Sequence, residues 1–461
     1  MRIRAFLVTL VAGACNLLAP WPAEASPSPG ARCQIQPITF EGWKAQQVSN
    51  QWVRLTIVPQ LGGRLMQMAL GEHAFLFVNS QLKGKYFPPA DASTQGHWYN
   101  YGGDKIWPLP EGQEDERHWA GPVSDNLDAG TYEFKVLSQG AVCKVLLEGP
   151  ADPHTGLQYS REISLGADSP EISFHAVMKN TTGHPIRWSM QSVTQYNTAS
   201  AESPNSYNRN FWAFTPINPS SAYDDGYHAR LGPSNDPAYS VKDGLFALHW
   251  LYLEREVWLD SLGGWLAVME GSTGYAMVER FPHSDVEYPG KATVIFYTNG
   301  PAVEYDDKGM PFLTSSNPAE MPFYMEAEVN SPMVRLSPGE TYALDTTWFP
   351  TRAAGDLKTV TDAGVVNKAL TVTTSGNSIL LSGSFGVFFP GSLAAYVFDS
   401  RGARTGVVPL QQVSPLDPVG LHKEIPASPA AARISIHLID EQGIDRGSLG
   451  EAPISKAEHG S

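Results

Sequence analysis

Positive charge is scarce in this chain. Its 461 residues contain 32 Lys and Arg against 47 Asp and Glu, which gives a formal net charge of -15 at pH 7. Binding to nucleic acid relies on clustered Lys and Arg that neutralise phosphates, and the sequence contains no basic stripe of that kind. The composition therefore argues against a nucleic-acid partner, while the acidity itself mainly favours solubility.

Several motifs that identify common reaction classes are also missing from the sequence. It has no Gly-rich phosphate loop, no G-x-S-x-G nucleophile elbow and no paired-His motif for zinc. The Gly pairs at 62–63 and 263–264 indicate tight turns, because neither of them opens a helix. We therefore expect no cofactor and no metal ion.

Long apolar runs are limited to the N-terminus. Arg2 and Arg4 precede an apolar segment at residues 5–18, and Ala-Glu-Ala at 23–25 then provides a small-x-small cleavage site. The apolar segment is too short for a membrane span, and no later segment approaches the required length. The sequence thus predicts a signal peptide over residues 1–25 and a protein that is periplasmic or secreted.

Cysteine is scarce as well, with three residues in the whole chain. Cys15 could instead anchor a lipoprotein, but Ala12 stands where Leu is usual, which disfavours that alternative. Removal of the signal peptide would leave Cys33 and Cys143, and in an exported protein such a pair is expected to form a disulfide. Two buried thiols are the alternative.

Turn residues are abundant and separate many short alternating stretches. A hydrophobic fraction of 42% with 17% charged residues indicates a globular protein, and the 42 Gly and 36 Pro are spread along the chain. No segment shows a sustained helical apolar stripe. The fold class predicted is all-β, and the clearest strand patterns lie at residues 52–58, 171–177, 265–269, 292–297 and 341–348.

The strand pattern divides the chain into two units. After a Pro- and Ser-rich linker at 26–37, the region 38–352 contains more strands than a seven-strand sandwich, so we expect a large two-sheet sandwich. Residues 353–370 are predicted to be a connection, compatible with a short helix over 354–366. Residues 371–461 are predicted to form a small β-sandwich module with a frayed tail.

The most informative stretch is residues 97–113. It combines His97, Asp104, Lys105 and Glu111 with four aromatic rings, a Gly pair and two prolines, so a shaped loop is expected rather than a regular strand or helix. Aromatic rings can bury the C–H faces of a pyranose while fixed polar groups bind its hydroxyls, as in sugar-binding loops. A packed Ω-like loop with core aromatics is the alternative.

Three segments together resemble the galactose-mutarotase-like superfamily. They read Leu-Thr-Ile-Val-Pro-Gln-Leu-Gly-Gly-Arg-Leu at 55–65, Tyr-Gly-Gly-Asp-Lys-Ile-Trp-Pro at 101–108 and Tyr-Met-Glu-Ala-Glu at 324–328. Their order and spacing resemble an uncharacterised bacterial branch of that superfamily, a family of unknown function, over about residues 38–350. The resemblance implies a β-supersandwich with a sugar site on its concave face, and the C-terminal module lies outside it.

The resemblance also implies which residues would act. In aldose 1-epimerases of the superfamily, a Glu removes the anomeric hydroxyl proton and a His protonates the ring oxygen. Glu326 matches the catalytic Glu, whereas the two expected histidines correspond to Tyr101 and Gln195. Gln is no useful proton donor or acceptor and Tyr titrates at about pH 10, so His97 is the remaining candidate acid. These replacements argue against mutarotase activity, but Gln and Tyr remain good partners for hydroxyls.

The candidate substrate-binding set includes four further side chains. Arg64 follows a Gly pair and Arg161 alternates with apolar neighbours, so both could project toward the concave face. Trp107 offers an aromatic surface. Lys105 either contacts the substrate or forms with Asp104 a buried ion pair that holds the loop.

The other acidic residues are expected to have structural or solvated roles. Alternation along the strand puts Glu328 on the same face as Glu326. Glu111 belongs to a short acidic run with Asp115 and Glu116, for which a solvated loop is a better explanation than a divalent-cation site.

The leading hypothesis is an exported carbohydrate-binding protein, with carbohydrate as its ligand and the oligomeric state left open. Its site would comprise Arg64, His97, Tyr101, Lys105, Trp107, Arg161, Gln195 and Glu326. Two enzymatic alternatives remain, an aldose 1-epimerase-type isomerase using Glu326 with His97 or Tyr101, and a polysaccharide lyase using Tyr101, His97 and Arg64. A non-catalytic structural or interaction protein is the third alternative.

Overall fold

The computed structural model describes residues 32–89, 98–112, 117–119, 121, 125–203, 205–315 and 317–456. The predicted signal peptide, the alternative anchor Cys15 and the candidate acid His97 therefore lie outside the described residues. Across those ranges, no helix has the length and apolar character needed to cross a bilayer. Regular structure in them consists of strands, apart from one short 3-10 turn at Pro289–Lys291.

The first part of the chain folds into strands β1 to β24. Strands β1 to β12 are β1 (Gln34–Phe40), β2 (Trp43–Ser49), β3 (Val53–Val58), β4 (Arg64–Leu70), β5 (His73–Ala74), β6 (Asp104–Leu109), β7 (Glu133–Ser138), β8 (Val142–Glu148), β9 (Leu157–Gly166), β10 (Ile172–Asn180), β11 (Ile186–Asn197) and β12 (Phe211–Pro216). Strands β13 to β24 are β13 (His228–Leu231), β14 (Tyr239–Lys242), β15 (Leu245–His249), β16 (Arg255–Leu259), β17 (Trp265–Glu270), β18 (Tyr275–Arg280), β19 (Val294–Thr298), β20 (Val303–Tyr305), β21 (Pro311–Leu313), β22 (Tyr324–Asn330), β23 (Val334–Leu336) and β24 (Thr341–Arg352). The first strand begins at Gln34, inside the segment that composition assigned to a linker, because it pairs with β2 as a hairpin.

These strands form two large antiparallel sheets and one separate hairpin. Sheet A has 12 strands in the order β1-β2-β3-β4-β6-β11-β22-β19-β16-β13, with β5 beside β4 and β23 beside β11. Sheet B has 10 strands in the order β14-β15-β12-β17-β18-β24-β10-β9-β8-β7, and β20 pairs with β21. The prediction of an all-β fold built on a large two-sheet sandwich is confirmed.

The main core lies between the two sheets, because alternate residues of their strands are apolar and share one face. In β11, Met190 and Tyr196 belong to this core, while the intervening Gln191 and Gln195 lie on the opposite face of sheet A. In β22, Met325 belongs to the core in the same way. The face of sheet A that points away from sheet B consequently carries polar side chains.

Strands β25 to β33 form the C-terminal module. They are β25 (Thr359–Val360), β26 (Gly364–Ser375), β27 (Ser378–Val387), β28 (Gly391–Phe398), β29 (Arg404–Val413), β30 (Val419–Pro426), β31 (Arg433–Asp440), β32 (Asp445–Pro453) and β33 (Ser455–Lys456). One sheet has the order β25-β26-β27-β30 with β33 beside β26, and the other has the order β29-β28-β31-β32. Strand structure thus continues to Lys456, although the end of the module was predicted to be frayed.

The module packs on the outer face of sheet B. Phe214, Ala267 and Phe349 of sheet B share one apolar cluster with Val365 and Phe388 of the module. The short helix considered for residues 354–366 is not formed, since β25 and the start of β26 occupy its second half. Val365 is fully buried in this cluster, and a β-branched residue in such a position favours a strand over a helix.

The stretch predicted to be a loop is in part a strand. Residues 104–109 form β6, which pairs along its length with β11 but meets β4 only where Asp104 lies opposite Leu65. Pro108 is tolerated because the side of β6 away from β11 has no partner strand at that residue. Gly103 has φ +77, and a Cβ there would lie 2.7 Å from the Leu65 carbonyl oxygen. Glycine at this position therefore lets the backbone pass close to β4 as β6 begins.

A disulfide joins the two sheets near the start of the described chain. Cys33 precedes β1 of sheet A, Cys143 lies in β8 of sheet B, and their sulfurs are bonded. Both residues are buried. The bond closes a loop with a sequence separation of 110 residues, which restricts the unfolded chain.

Candidate functional site

A cavity of about 330 Å³ opens on the face of sheet A that points away from sheet B. Its walls come from strands β6, β11, β22, β19, β16 and β13 and from short segments beside them. These strands are neighbours in sheet A in that order. Side chains that are far apart in the sequence are therefore brought together on one surface.

Aromatic rings form flat parts of the cavity wall. Trp98 and Trp107 are in edge-to-face contact, with ring centroids 5.9 Å apart. Tyr297 of β19 and Tyr324 of β22 lie on the next strands, with centroids 6.2 Å apart. Rings of this kind present apolar faces and a negative quadrupole to whatever enters the cavity.

Trp258 of β16 forms the opposite wall and is fixed by its neighbours. Its Nε1 donates a hydrogen bond to Glu256 Oε1 at 2.5 Å, and the Arg230 guanidinium lies 5.4 Å from its ring centroid. Arg230 also pairs with Glu256 at 2.9 Å. Gly290 has φ +56, and a Cβ there would lie 1.9 Å from the Trp258 ring, so the ring packs directly on the backbone.

Two carboxyl groups stand side by side on β22. Glu326 and Glu328 face the cavity, as the alternation of the strand predicted. Gln195 lies opposite Glu326 in the neighbouring β11, and its Nε2 donates a hydrogen bond to Glu326 Oε1 at 2.5 Å. Gln191 donates in the same way to Glu328. The two amides of β11 therefore orient the two carboxyls of β22.

The environment of Glu328 favours its protonated form. Burial raises the pKa of Glu328 well above its usual range, and the neighbouring charges of Glu326 and Glu256 raise it further. A hydrogen bond between Glu328 and Glu326 also raises the pKa of Glu328.

Glu111 lies at the cavity wall and not on a solvated loop as predicted. Burial raises its pKa to about 7, the charge of Glu256 adds to this effect, and Arg230 opposes it. The segment after β6 is held by a bridge between Glu111 and Trp119, and Trp119 is buried in the main core. Packing of this aromatic residue holds Glu111 beside the sheet.

Lys105 lies beneath the aromatic wall. Its Nζ is 3.7 Å from the ring centroid of Trp107 and 5.0 Å from that of Trp98, and among the described residues it has no hydrogen-bond acceptor. Burial lowers the pKa of Lys105 to about 8, and the nearby Arg64 adds to the effect while Glu326 opposes it. Ring faces thus replace an anion as the partner of this ammonium group.

The predicted pairing of Asp104 with Lys105 does not occur, because neighbouring residues of a strand point to opposite faces. Asp104 points into the core between the sheets, where it forms a buried ion pair with Arg161 of β9. Arg161 therefore lies between the sheets, away from the cavity. Arg64 is also buried and forms an ion pair with Asp128.

Tyr101 lies outside the cavity, in a separate cluster on sheet A. Its ring meets that of Trp43 edge-on, with centroids 6.2 Å apart, and its hydroxyl accepts a hydrogen bond from the Phe87 N–H at 3.0 Å. Burial raises the pKa of Tyr101 above its usual range. The hydroxyl is consequently a structural acceptor in this position.

The structure brings four of the eight predicted site residues together at the cavity and places three elsewhere, while His97 lies outside the described residues. Trp107 and Glu326 line the cavity, Lys105 lies beneath its wall, and Gln195 holds Glu326. In the described ranges, no group of three or more His, Cys, Asp or Glu is arranged to hold a metal ion. The predicted residues that lie elsewhere are Arg64, Tyr101 and Arg161.

Sequence reasoning missed the residues contributed by β13, β16 and β19. Glu256 and Trp258 alternate with the buried Val257, which is a recognisable strand pattern. That pattern predicts that the two side chains share a face. It does not predict that the strand lies two places from β22 in sheet A, which is what brings Trp258 and Glu326 to the same cavity.

Comparison with known proteins supports the predicted resemblance. A family model described as Domain of unknown function (DUF4380) matches residues 44–350, and no curated protein matches the chain. Similar solved structures include a galactose mutarotase-like protein from Clostridium acetobutylicum, with 10% identity, a TM-score of 0.43, and coverage of 70% of this chain and 99% of that one. Another galactose mutarotase-like protein, from Lactobacillus casei, has 11% identity, a TM-score of 0.40, and coverage of 69% and 100%.

A third similar structure belongs to a longer protein. It is a TPR-domain containing protein from Parabacteroides distasonis, with 15% identity and a TM-score of 0.43. The match covers 69% of this chain and 53% of that one, so the chain spans about half of its length. The family model, which matches residues 44–350, confirms the expected match to a family of unknown function.

Proposed function

The chain belongs to the family described as Domain of unknown function (DUF4380), and we propose that it is an exported carbohydrate-binding protein whose sugar site is the cavity on sheet A. The observation that carries the proposal is the cavity of about 330 Å³, in which aromatic faces stand beside oriented carboxyl groups. Export rests on the predicted signal peptide at residues 1–25.

The two kinds of surface in the cavity match the two kinds of surface on a sugar. Trp258 and Tyr297 offer ring faces on which the C–H side of a pyranose can lie. Glu326, held by Gln195, offers fixed oxygens that accept hydrogen bonds from hydroxyl groups. The cavity has the size of a small-molecule site and is large enough for one or two sugar residues.

The charge of the cavity disfavours acidic sugars and with them the polysaccharide lyase alternative. Its lining carries four carboxyl groups and a single guanidinium, that of Arg230, which is already paired with Glu256. A uronate would meet repulsion without an available cation. The lyase hypothesis also needed Tyr101 and Arg64, which lie outside the cavity.

Binding at the cavity predicts a specific effect of Trp258. A sugar present at about 100 times its dissociation constant should stabilise the mature protein by about 2.7 kcal/mol, which raises its thermal midpoint. Thermal shifts across mono-, oligo- and polysaccharides measure this effect. Trp258→Ala should abolish the shift because the ring face is lost, and Trp258→Phe should retain most of it. Equal shifts in the wild type and Trp258→Ala would contradict the proposal.

A second candidate function is an aldose 1-epimerase-type isomerase, and the pKa of Glu111 favours it. Glu326 could act as the base, while Glu111, with its pKa raised to about 7, could donate a proton to the ring oxygen. The two carboxyls approach the cavity from different elements, the segment after β6 and strand β22.

Polarimetry on freshly dissolved aldoses tests this candidate. Glu111→Gln and Glu326→Gln should each slow anomer exchange by at least about 100-fold, whereas Glu279→Gln, which alters a buried Glu between the sheets, should not. Activity should fall as the pH rises above about 7, because Glu111 must be protonated to act as the acid. Wild-type protein that fails to accelerate anomer exchange over buffer excludes this function.

A further inference from the structure

We infer that the preferred ligand of the cavity is an amino sugar, whose ammonium group lies between the carboxyls of β22 and the aromatic wall. The inference rests on the proposed function, because it names the class of sugar that the same cavity would take. It follows from the hydrogen-bonding state and the charge of the described side chains that surround the cavity.

Several hydrogen-bond donors at the cavity are already engaged by protein acceptors, whereas the indole N–H of Trp98 has no partner among the described residues. The Nε2 groups of Gln191 and Gln195 donate to Glu328 and Glu326, respectively. The indole N–H of Trp258 donates to a carboxyl of the same strand. The cavity therefore offers a ligand few free hydrogen-bond donors, so a ligand group that can only accept hydrogen bonds finds few partners there.

The acceptors, in contrast, retain unused capacity. A carboxylate has about four acceptor positions, and the contacts of Glu326 with Gln195 and Glu328 use only part of them. An ammonium group has three donors and no acceptor, so it is complementary to this arrangement in a way that a hydroxyl is not.

The charged groups around the cavity also favour a cationic ligand. Arg230 is the guanidinium at the cavity and pairs with Glu256, and no salt bridge from a described Lys or Arg reaches Glu326 or Glu328. Lys105, the other nearby cation, is held against the Trp107 ring. A cation bound at β22 would therefore gain two carboxyl partners without displacing an existing ion pair.

The aromatic wall suits a cation as well as a sugar ring. The protein's own cations already use these rings, since Lys105 Nζ lies 3.7 Å from the centroid of Trp107 and the Arg230 guanidinium 5.4 Å from that of Trp258. Tyr297 and Tyr324 stand on either side of the Glu326 position in sheet A, on β19 and on β22 itself. A ring face and a carboxyl together stabilise an ammonium group more than either does alone.

The raised pKa values of the carboxyls provide further support. Burial and mutual repulsion disfavour the charged forms of Glu328 and Glu111. The groups that face them are Glu326 on β22, Glu256 on β16, Arg230 on β13, Lys105 on β6 and Tyr297 on β19. An ammonium ion beside these carboxyls would favour their ionised forms, so binding of the amine would be linked to the release of protons.

Calorimetric titration at pH 6.5 tests the inference with closely matched sugars. D-glucosamine, D-galactosamine and D-mannosamine, as hydrochlorides, are compared with glucose, galactose and mannose and with the three N-acetyl derivatives, at equal chloride concentration. We expect at least one amine to bind about tenfold or more tightly than both its parent hexose and its N-acetyl form, a difference of about 1.4 kcal/mol.

A pair of variants locates the effect. Glu328→Gln should reduce the preference for the amine to about threefold or less, because the amide keeps a similar shape but cannot ionise beside the ammonium group. Glu279→Gln, which changes a buried Glu between the sheets whose pKa is also raised, to about 8, should keep the preference. Since Glu328 favours its protonated form, Gln is a close substitute and the variant is expected to fold, which its thermal midpoint checks.

The outcomes separate this inference from the proposed function. Parent or N-acetyl sugars that bind as tightly as the amines would overturn the inference and leave the sugar site in place. A preference for the amine that survives in Glu328→Gln would also overturn it, because the positive charge would then be recognised elsewhere. If neither these sugars nor the wider carbohydrate panel bind, the proposed function fails and the inference fails with it.

Discussion

Trp107→Ala is expected to lower the free energy of unfolding by about 3–5 kcal/mol, as is typical for the truncation of a large buried aromatic residue. Trp107 is 6% exposed and belongs to the main core. Its Nε1 donates a hydrogen bond to Asp128 at 3.1 Å, and its ring centroid lies 5.0 Å from that of Trp119. The truncation would also remove the ring that holds the Lys105 ammonium group. Urea unfolding followed by circular dichroism measures the loss.

Trp258→Ala is the matched control for this prediction. Trp258 is only partly buried and lines the cavity, so its loss should cost clearly less stability while abolishing sugar binding. The two tryptophans thereby separate a ring that builds the fold from a ring that serves the site. A change of less than about 1 kcal/mol in Trp107→Ala would contradict its assignment to the core.

Arg161→Met is expected to lower the free energy of unfolding by about 3–5 kcal/mol, because it leaves a buried carboxylate without its cation. Asp104 is 0% exposed and Arg161 is 5% exposed, and the two form an ion pair between the sheets. Thr194 Oγ1 supports Asp104 with a hydrogen bond of 3.0 Å but brings no charge. Urea unfolding at pH 7 measures the effect.

The double variant Asp104→Leu with Arg161→Met provides the control. Removing both partners should cost clearly less than removing Arg161 alone, since no buried charge then remains unpaired. Equal losses in the single and double variants would show that the side-chain volume of Arg161 matters and its charge does not.

The sequence predicted the class and the general plan of the fold from alternation alone. Segments such as 52–58 and 341–348 show a period of two, and they became β3 and β24. Alternation also predicted correctly that Glu326 and Glu328 share a face. These predictions succeeded because the period of a strand is local and does not depend on its partners.

Predictions that depended on long-range pairing failed. Composition favoured a loop at residues 97–113, but pairing with β11 makes residues 104–109 a strand despite Pro108, because the far side of the strand has no partner at that residue. Arg161 was expected at the concave face, and it lies between the sheets because its strand belongs to sheet B. Alternation in the sequence shows which side chains of a strand share a face, but it does not show which of the two faces packs against the core.

The order of strands in sheet A explains why half of the cavity was not foreseen. Glu256 and Trp258 precede Glu326 by about seventy residues in the chain. They become its neighbours only through the order β22-β19-β16. Glu111 was missed for a different reason. A short acidic run is normally solvated, and the sequence did not show that the packing of Trp119 would enclose Glu111.

The C-terminal module and the cavity occupy opposite sides of the large sandwich. The module covers the outer face of sheet B through residues such as Phe349 and Phe388. Every residue that lines the cavity lies between Trp98 and Glu328, within the span of the family match. The module therefore packs on the side of the sandwich away from the cavity, and the cavity-lining groups belong to the first part of the chain.

A crystal structure with the ligand that gives the largest thermal shift tests most directly whether the cavity on sheet A binds a sugar. We expect a sugar ring against Trp258 or Tyr297 and a hydroxyl or ammonium group within hydrogen-bond distance of Glu326. The positions of Arg64 and Tyr101 should be unchanged. Electron density for the ligand on the C-terminal module or on sheet B, with the cavity occupied by solvent, would contradict sugar binding at this cavity.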